Sequence, residues 1–269
     1  MLQRALAALL RNTPYFRGKP RLVASVVPNL GMRQARVFGM RVQLDLHDTI
    51  QRDIYGGLYE PWETRWIRSY LKPGMTFVDV GANVGYFTWL AASLAGPSGR
   101  VFAFEPSALA FKKLQAVVAG SGTSSVLCQN MAVSDHEGEL LLHVPPESSG
   151  NHNASVIEYC GEMTEVKVPA TTLDRFFKTH GVNRVDLLKA DVEGHELCVF
   201  KGMEAAARAG AVRAVLCEFN PDLLPLAGAS VAQLEEWFTA TGFECVTRFP
   251  SKWGPVANRL FFYRGGRQA

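Results

Sequence analysis

Several absences narrow the reading of this sequence. No run reaches the roughly 18 apolar residues that a membrane-spanning helix needs, so none is expected. The five cysteines (Cys128, Cys160, Cys198, Cys217 and Cys245) are odd in number and contain no Cys-x-x-Cys pair. A zinc ribbon and a disulfide scaffold are therefore not expected. Cys128, Cys217 and Cys245 fall in apolar, strand-like runs, which predicts reduced and mostly buried thiols in a cytoplasmic protein. No internal repeat and no low-complexity segment is present. No acidic residue precedes Asp45, although eight basic ones do: Arg4, Arg11, Arg17, Lys19, Arg21, Arg33, Arg36 and Arg41. The remaining residues carry 20 basic and 25 acidic side chains, within an overall net charge of +3. A basic arm on an acidic body is a candidate contact for an anionic membrane surface or a phosphate-linked substrate. No aromatic residues interleave with the bases as nucleic-acid stacking would need, so nucleic acid is not an expected partner.

The apolar patch Ala5–Leu10 is too short for a secretory signal and is ended by Arg11, Asn12 and Pro14 without a small-residue cleavage site. It predicts an amphipathic helix with Leu2, Leu6, Leu9 and Leu10 on one face. At 269 residues, 48% hydrophobic and 20% charged, the chain can bury a sizeable core. Lys72-Pro73-Gly74 reads as a turn and divides an N-terminal extension (1–72) from the main domain (73–269). Short helices and a hairpin are expected before it.

After that turn, strands and helices alternate. Strands are predicted at 76–80, 100–104, 125–129, 186–190 and 212–218, and helices at 84–95, from the N-cap Ser107 to about Ala119, at 172–180, 196–209 and 231–241. Extra strands are expected at 139–144 and 165–168, and 243–248 with 259–263 would close the sheet as an antiparallel pair. This order predicts an α/β fold on a mostly parallel sheet, with ligands outside the C-terminal strand ends.

The sharpest local signal is Phe77-Val-Asp79-Val-Gly81-Ala-Asn83-Val-Gly85. A buried strand ends in an acid, then turns through glycine into a helix whose N–H groups can face a ligand. The spacing is G-x-x-x-G rather than G-x-G-x-x-G, and Asn83 stands where a dinucleotide site has its middle glycine. Asp79 would also be unwelcome beside a pyrophosphate but suits a cationic ligand. The second strand ends at Glu105, 24 residues beyond Gly81, where an acid can accept from both ribose hydroxyls. Together these features predict an adenosyl site without a pyrophosphate.

On these residues the sequence resembles the FkbM family of S-adenosylmethionine-dependent methyltransferases. The resemblance spans about residues 45–264. Its blocks are Asp79-Val-Gly-Ala-Asn-Val-Gly85, Phe104-Glu-Pro106, Asn130-Met-Ala-Val-Ser-Asp135 with Gly138, Thr172-Leu-Asp174, and Asp186-Leu-Leu-Lys-Ala-Asp-Val-Glu-Gly-His-Glu196. Gly57-Leu-Tyr-Glu60 also fits the pattern. The resemblance implies a Rossmann-like seven-stranded methyltransferase sheet, mostly parallel, with a short N-terminal helical extension. It implies S-adenosylmethionine as cofactor. Gly81, Asn83 and Gly85 would line the methionine and ribose end, Glu105 would hold the ribose, and Asn130 to Ala132 would border the adenine.

Asp191, Glu193, His195 and Glu196 follow the fourth strand, with Gly194 giving the chain room to turn. A carboxylate there can stabilise a sulfonium, and a carboxylate or His195 can take a hydroxyl proton. Asp191 is expected nearest the sulfonium, His195 is expected as the base, and Glu193 completes the catalytic set. Glu218, after the fifth strand, and Glu60, ahead of the main domain, are candidates to face the acceptor and the cofactor. Nothing fixes a ligand count for a metal, so none is expected. His47, His136, His143, His152 and His180 lack spaced partners and read as structural. Trp62, Trp66, Trp89 and Trp237 read as core or packing, and Trp253, in a polar loop with Lys252 and Gly254, is a loop residue that could line a sugar-binding mouth. The expected reaction is O-methylation of a small-molecule, sugar or glycan acceptor. An NAD-dependent oxidoreductase and a non-catalytic cofactor-binding module are the alternatives.

Overall fold

The structure is a computed structural model and describes residues 2–146, 154–158, 163–250 and 256–265. His152, Cys160 and Trp253 lie outside the described residues. The chain opens with α1 (Leu2–Asn12), α2 (Lys19–Val26), the hairpin β1 (Met32–Val37) and β2 (Met40–Asp45), α3 (Thr49–Gly56) and α4 (Pro61–Tyr70). Next come β3 (Thr76–Val80), α5 (Tyr86–Ala95), β4 (Arg100–Phe104), α6 (Ala108–Ser121), β5 (Val126–Gln129), β6 (Ala132–Val133), β7 (Gly138–Val144), β8 (Thr164–Thr171) and α7 (Leu173–Thr179). Then follow β9 (Leu187–Ala190), α8 (Glu196–Lys201), α9 (Glu204–Arg208), β10 (Ala214–Phe219), α10 (Val231–Ala240), β11 (Phe243–Pro250) and β12 (Ala257–Tyr263).

The main sheet is seven-stranded and mostly parallel, in the order β11-β12-β10-β9-β3-β4-β5, as expected. Only β12 runs against its neighbours β10 and β11. The order reverses at β3, which lies between β4 and β9. That reversal opens a crevice at the C-terminal ends of β3, β4 and β9, where an α/β sheet places its ligand. β6, β7 and β8 form a separate three-stranded sheet.

The alternation of side chains along each strand divides the sheet into two faces. Val78, Val80, Leu188, Ala190, Val215 and Cys217 pack with α7, α8 and α10 on one side. Phe77, Leu187, Ala214 and Leu216 face α5 and the first 72 residues on the other. The N-terminal elements therefore share an apolar core with the sheet: Ala7, Leu10, Val23, Leu44, Ile54 and Ile67 are buried in the same cluster as Trp89 and Leu90. Hydrogen-bonding caps start the helices where the sequence offers them. Asp48 accepts from Gln51 N–H, Ser107 from Ala110 N–H, Thr172 from Arg175 N–H and Ser230 from Gln233 N–H.

Four expectations change. In α1 the inward face is Ala7 and Leu10, whereas Leu6 and Leu9 point to solvent. The helix expected over 196–209 is two helices, because the chain packs on the end of β6: a Cβ on Gly202 would lie 2.0 Å from the Ser134 carbonyl oxygen. Cys245 is exposed beside a bulge in β11, and only Cys217 among the described cysteines is fully buried. Trp89 and Trp237 are core residues, but Trp62 is exposed and rests tilted against Tyr15.

Candidate active site

The turn after β3 can be built only with glycine. Gly81 has φ +79°, and a Cβ there would lie 1.8 Å from the Asp191 carbonyl oxygen. The N–H groups of Gly81 and Ala82 both donate to the Phe104 carbonyl, at 3.0 and 2.9 Å. Glu105, next in the chain, accepts from Asn83 N–H through Oε2 at 2.7 Å and from Ser107 N–H through Oε1 at 2.8 Å. The first and second βα turns thus meet at one buried carboxylate. Burial pushes Glu105 up to about 7, with the two backbone bonds pulling the other way. Asn130 extends the brace, donating from Nδ2 to the carbonyls of Glu105 and Pro106 at 2.8 and 3.0 Å. Gly85 stands behind this wall, where a Cβ would strike Leu114 and the Trp89 indole.

The third element comes from the end of β9. Lys189 is the one charged residue of that strand and is 2% exposed. Its Nζ lies 2.7 Å from Asp191 Oδ2 and 4.8 Å above the Phe87 ring. Burial alone would push Lys189 down, but the carboxylates of Asp191, Glu60 and Asp79 outweigh it and hold the ammonium well above its usual range. Asp79 is buried and accepts from Thr88 Oγ1 at 2.6 Å.

The turn that follows is held by Glu196. Its Oε1 accepts from the N–H groups of Val192 and Gly194 at 3.1 and 3.2 Å, and burial pushes it up to about 7. Gly194, at φ +100°, passes so close to Leu223 that a Cβ would lie 2.9 Å from its carbonyl oxygen. His195 Nε2 bonds Ser134 Oγ at 3.0 Å, and burial pushes the imidazole down to about 4.

These turns surround about 910 Å³ of atom-free space, part of it open to solvent. Asp79, Gly81, Asn83, Glu105, Ala132, Asp191, Glu193 and His195 line it together. Ile54, Tyr59 and Phe87 close the opposite side. Gly85 and Asn130 do not reach it and act through the packing and bonds just described. Glu60 and Glu218 lie next to it, within electrostatic reach of Asp191. Four non-glycine residues have left-handed backbones among the described residues: Phe38, Glu60, Asn83 and Glu193. Three of the four belong to this region, as expected when backbone strain serves a site.

Sequence reasoning did not single out Lys189, Tyr59 or Ser134 as site residues. For Lys189 a signal was present: a single lysine in the strand Leu187-Leu188-Lys189-Ala190 has to find an anion if the strand is buried on both faces.

The model of the methyltransferase FkbM domain matches residues 79–245, well over half of the chain. The chain belongs to the FkbM methyltransferase family. Among curated relatives, the hexuronic acid methyltransferase AglP of Haloferax volcanii is 29% identical over 148 residues, covering 55% of this chain and 56% of its own length. The 31-O-demethyl-FK506 methyltransferase FkbM of Streptomyces tacrolimicus is 28% identical over 165 residues, covering 51% and 62%. Methyltransferase 1 of Beauveria bassiana is 28% identical over 144 residues, covering 47% and 57%. The chain thus spans somewhat over half the length of these relatives. Among solved structures, the METTL16 methyltransferase domain aligns at a TM-score of 0.50 with 14% identity over 84% of this chain and 74% of that one, which is a likeness of fold.

Proposed function

We propose that this FkbM-family protein transfers the methyl group of S-adenosylmethionine to a hydroxyl of a sugar, glycan or secondary-metabolite acceptor. The observation that carries the reading is the convergence of the Gly81 turn and Glu105 on one cavity floored by Asp79 and Asp191. These residues fit the cofactor. Each Glu105 oxygen accepts one backbone N–H and keeps acceptor capacity for a ribose diol. Asp79, buried, and Asp191, partly buried, favour a positive ligand in a medium of low dielectric constant. When bound, S-adenosylmethionine supplies a methyl group on a cationic sulfur.

Asp191, held at Oδ2 by Lys189, provides charge opposite the sulfonium and is also placed to accept the proton of an incoming hydroxyl. Between the two groups the sequence offers for that proton, the geometry favours Asp191. Burial leaves His195 a weak base, and its Nε2 is engaged by Ser134. Its role in this reading is to position the turn that carries Glu193. Relatives named for a hexuronic acid and for 31-O-demethyl-FK506 support oxygen as the acceptor atom.

The reading also includes an anionic surface as partner of the N-terminal segment, supported by exposed Arg17 and Arg21 beside exposed Phe16 and Leu22. Calorimetric titration with S-adenosylhomocysteine and with NADH tests the cofactor. Labelled S-adenosylmethionine incubated with fractionated glycans and metabolites, read by mass spectrometry, tests the transfer. Binding of NADH alone overturns the reading in favour of an oxidoreductase, and cofactor binding without any methylated product favours a non-catalytic module.

A further inference from the structure

A second polar cluster lies beside the cavity, on the sheet face that carries Lys189. Strand alternation puts Asp79 opposite Lys189 in the β3–β9 ladder and Glu218 opposite Asn258 in the β10–β12 ladder. α4 runs along the same face of the sheet: Tyr70 and Trp66 pack edge-on against Phe262 of β12, opposite the start of β10, at 5.5 and 6.2 Å. The first turn of α4 therefore brings Glu63 onto Asn258, whose Nδ2 donates to Glu63 Oε1 at 3.2 Å. Glu60 stands one turn earlier, held at φ +36°.

Within this cluster three acceptor oxygens are buried without a hydrogen-bond partner among the described residues: Glu60 Oε2, Glu218 Oε2 and Asn258 Oδ1. Asn258 is 6% exposed, so water does not satisfy its oxygen by simple access. A buried acceptor without a donor is destabilising, and three in one place call for a ligand rich in donors. Lys189, the cation of the cluster among the described residues, is already committed to Asp191.

We propose that the acceptor binds against this cluster, between the first turn of α4 and the C-terminal end of β10, and that the site takes an uncharged polyhydroxyl ring and turns away a carboxylate- or phosphate-bearing one. The proposal rests on the methyl-transfer reading above. Neighbouring hydroxyls of a sugar ring donate to Glu60, Glu218 and Asn258, while Asp191, between this cluster and the cavity, faces the hydroxyl that reacts. An anionic group would be set among the acids Glu60, Glu63, Asp191 and Glu218, where the cation at hand, Lys189, is already paired. Burial and the neighbouring acids push Glu60 up to about 8 and Glu218 well above its usual range. The same buried, acid-rich setting that resists ionisation of these two carboxyls resists an added negative charge on the ligand.

The test offers the full-length protein labelled S-adenosylmethionine with matched pairs of p-nitrophenyl glycosides: glucoside and glucuronide, galactoside and galacturonide, and glucoside 6-phosphate. S-adenosylhomocysteine binding is measured in parallel. Methylation of a neutral glycoside with at least about tenfold preference over its uronide and phosphate partners is expected. Equal or preferred use of the charged partner, or no methylation of any neutral glycoside by protein that binds S-adenosylhomocysteine, overturns the subsite. Failure to bind S-adenosylhomocysteine overturns the underlying reading instead. Glu218→Gln and, in case that variant does not fold, Asn258→Ser are each expected to raise KM for the neutral glycoside about tenfold, with S-adenosylhomocysteine affinity unchanged. An unchanged KM in the folded variants counts against the proposal.

Discussion

The Glu105 carboxylate accepts the backbone N–H of Asn83 at 2.7 Å, so an acid after the second strand holds the loop after the first. This bond links two roles, shaping the first turn and offering oxygens to a ribose. Glu105→Ala is expected to lower S-adenosylhomocysteine affinity by about tenfold to a hundredfold, in line with charged hydrogen bonds of roughly 1.5–3 kcal/mol. Calorimetric titration measures it. Glu105→Gln keeps an acceptor and a similar size, and is expected to lose less. Equal affinity in all three proteins would remove Glu105 from the nucleoside site.

Asp191, partly buried, pairs with the fully buried Lys189 at 2.7 Å, and removing the aspartate strands the lysine charge. Asp191→Asn is therefore expected to lower both turnover and stability, the latter by about 3–5 kcal/mol as for other broken buried pairs. The double substitution Asp191→Asn with Lys189→Met removes both charges. Thermal unfolding is expected to recover much of the lost Tm in the double variant while turnover stays near zero. Recovery of turnover along with Tm would show that the aspartate acts through stability alone.

Buried carboxylates make stability fall as pH rises. Glu60 is pushed up to about 8, Glu105 to about 7 and Glu196 to about 7, all from 4.5 and all chiefly by burial. Between 4.5 and those values the unfolded chain has released protons that the folded chain retains, so each group withdraws stability across that window. His195 acts at the other end. Burial pushes it from 6.5 down to about 4, so its contribution is lost as pH falls through that range. Three groups oppose one, and Tm is expected to decline by several degrees from about pH 5.5 to about pH 8. A scan of Tm against pH measures this, and Glu196→Gln should flatten part of the slope.

Much of this arrangement was legible in the sequence because it is local. The strand, glycine turn and acid of Asp79–Gly85 and the Glu105 that follows one βα unit later are each written within a few residues, and βα periodicity carries them to the same sheet end. The Glu63–Asn258 contact was not legible, since it joins residues 195 positions apart through the reversal of β12. Likewise, apolar spacing in α1 identified a helix but not its inward face. Ala7 and Leu10 are chosen by what α2 and α3 present to them, and no period within α1 encodes that.

The basic N-terminal segment divides into residues that hold the fold and residues that face solvent. Lys19 is 1% exposed, and its Nζ donates to the carbonyls of Thr13 and Gly57 at 2.8 Å each. The Arg11 guanidinium covers the Tyr55 ring at 4.7 Å. Deleting the segment would also expose Ala7, Leu10 and Val23, so its charge has to be tested by substitution. Lys19→Met is expected to lower stability by about 1–3 kcal/mol through two stranded carbonyls, without changing surface binding. Arg17→Glu with Arg21→Glu is expected to leave Tm nearly unchanged. It should also weaken binding to vesicles of phosphatidylserine and phosphatidylcholine, by about 1 kcal/mol or more per residue, with no effect on phosphatidylcholine alone. Co-sedimentation measures the binding. If the double variant and the parent sediment equally with anionic vesicles, the exposed arginines are only a solvated basic face.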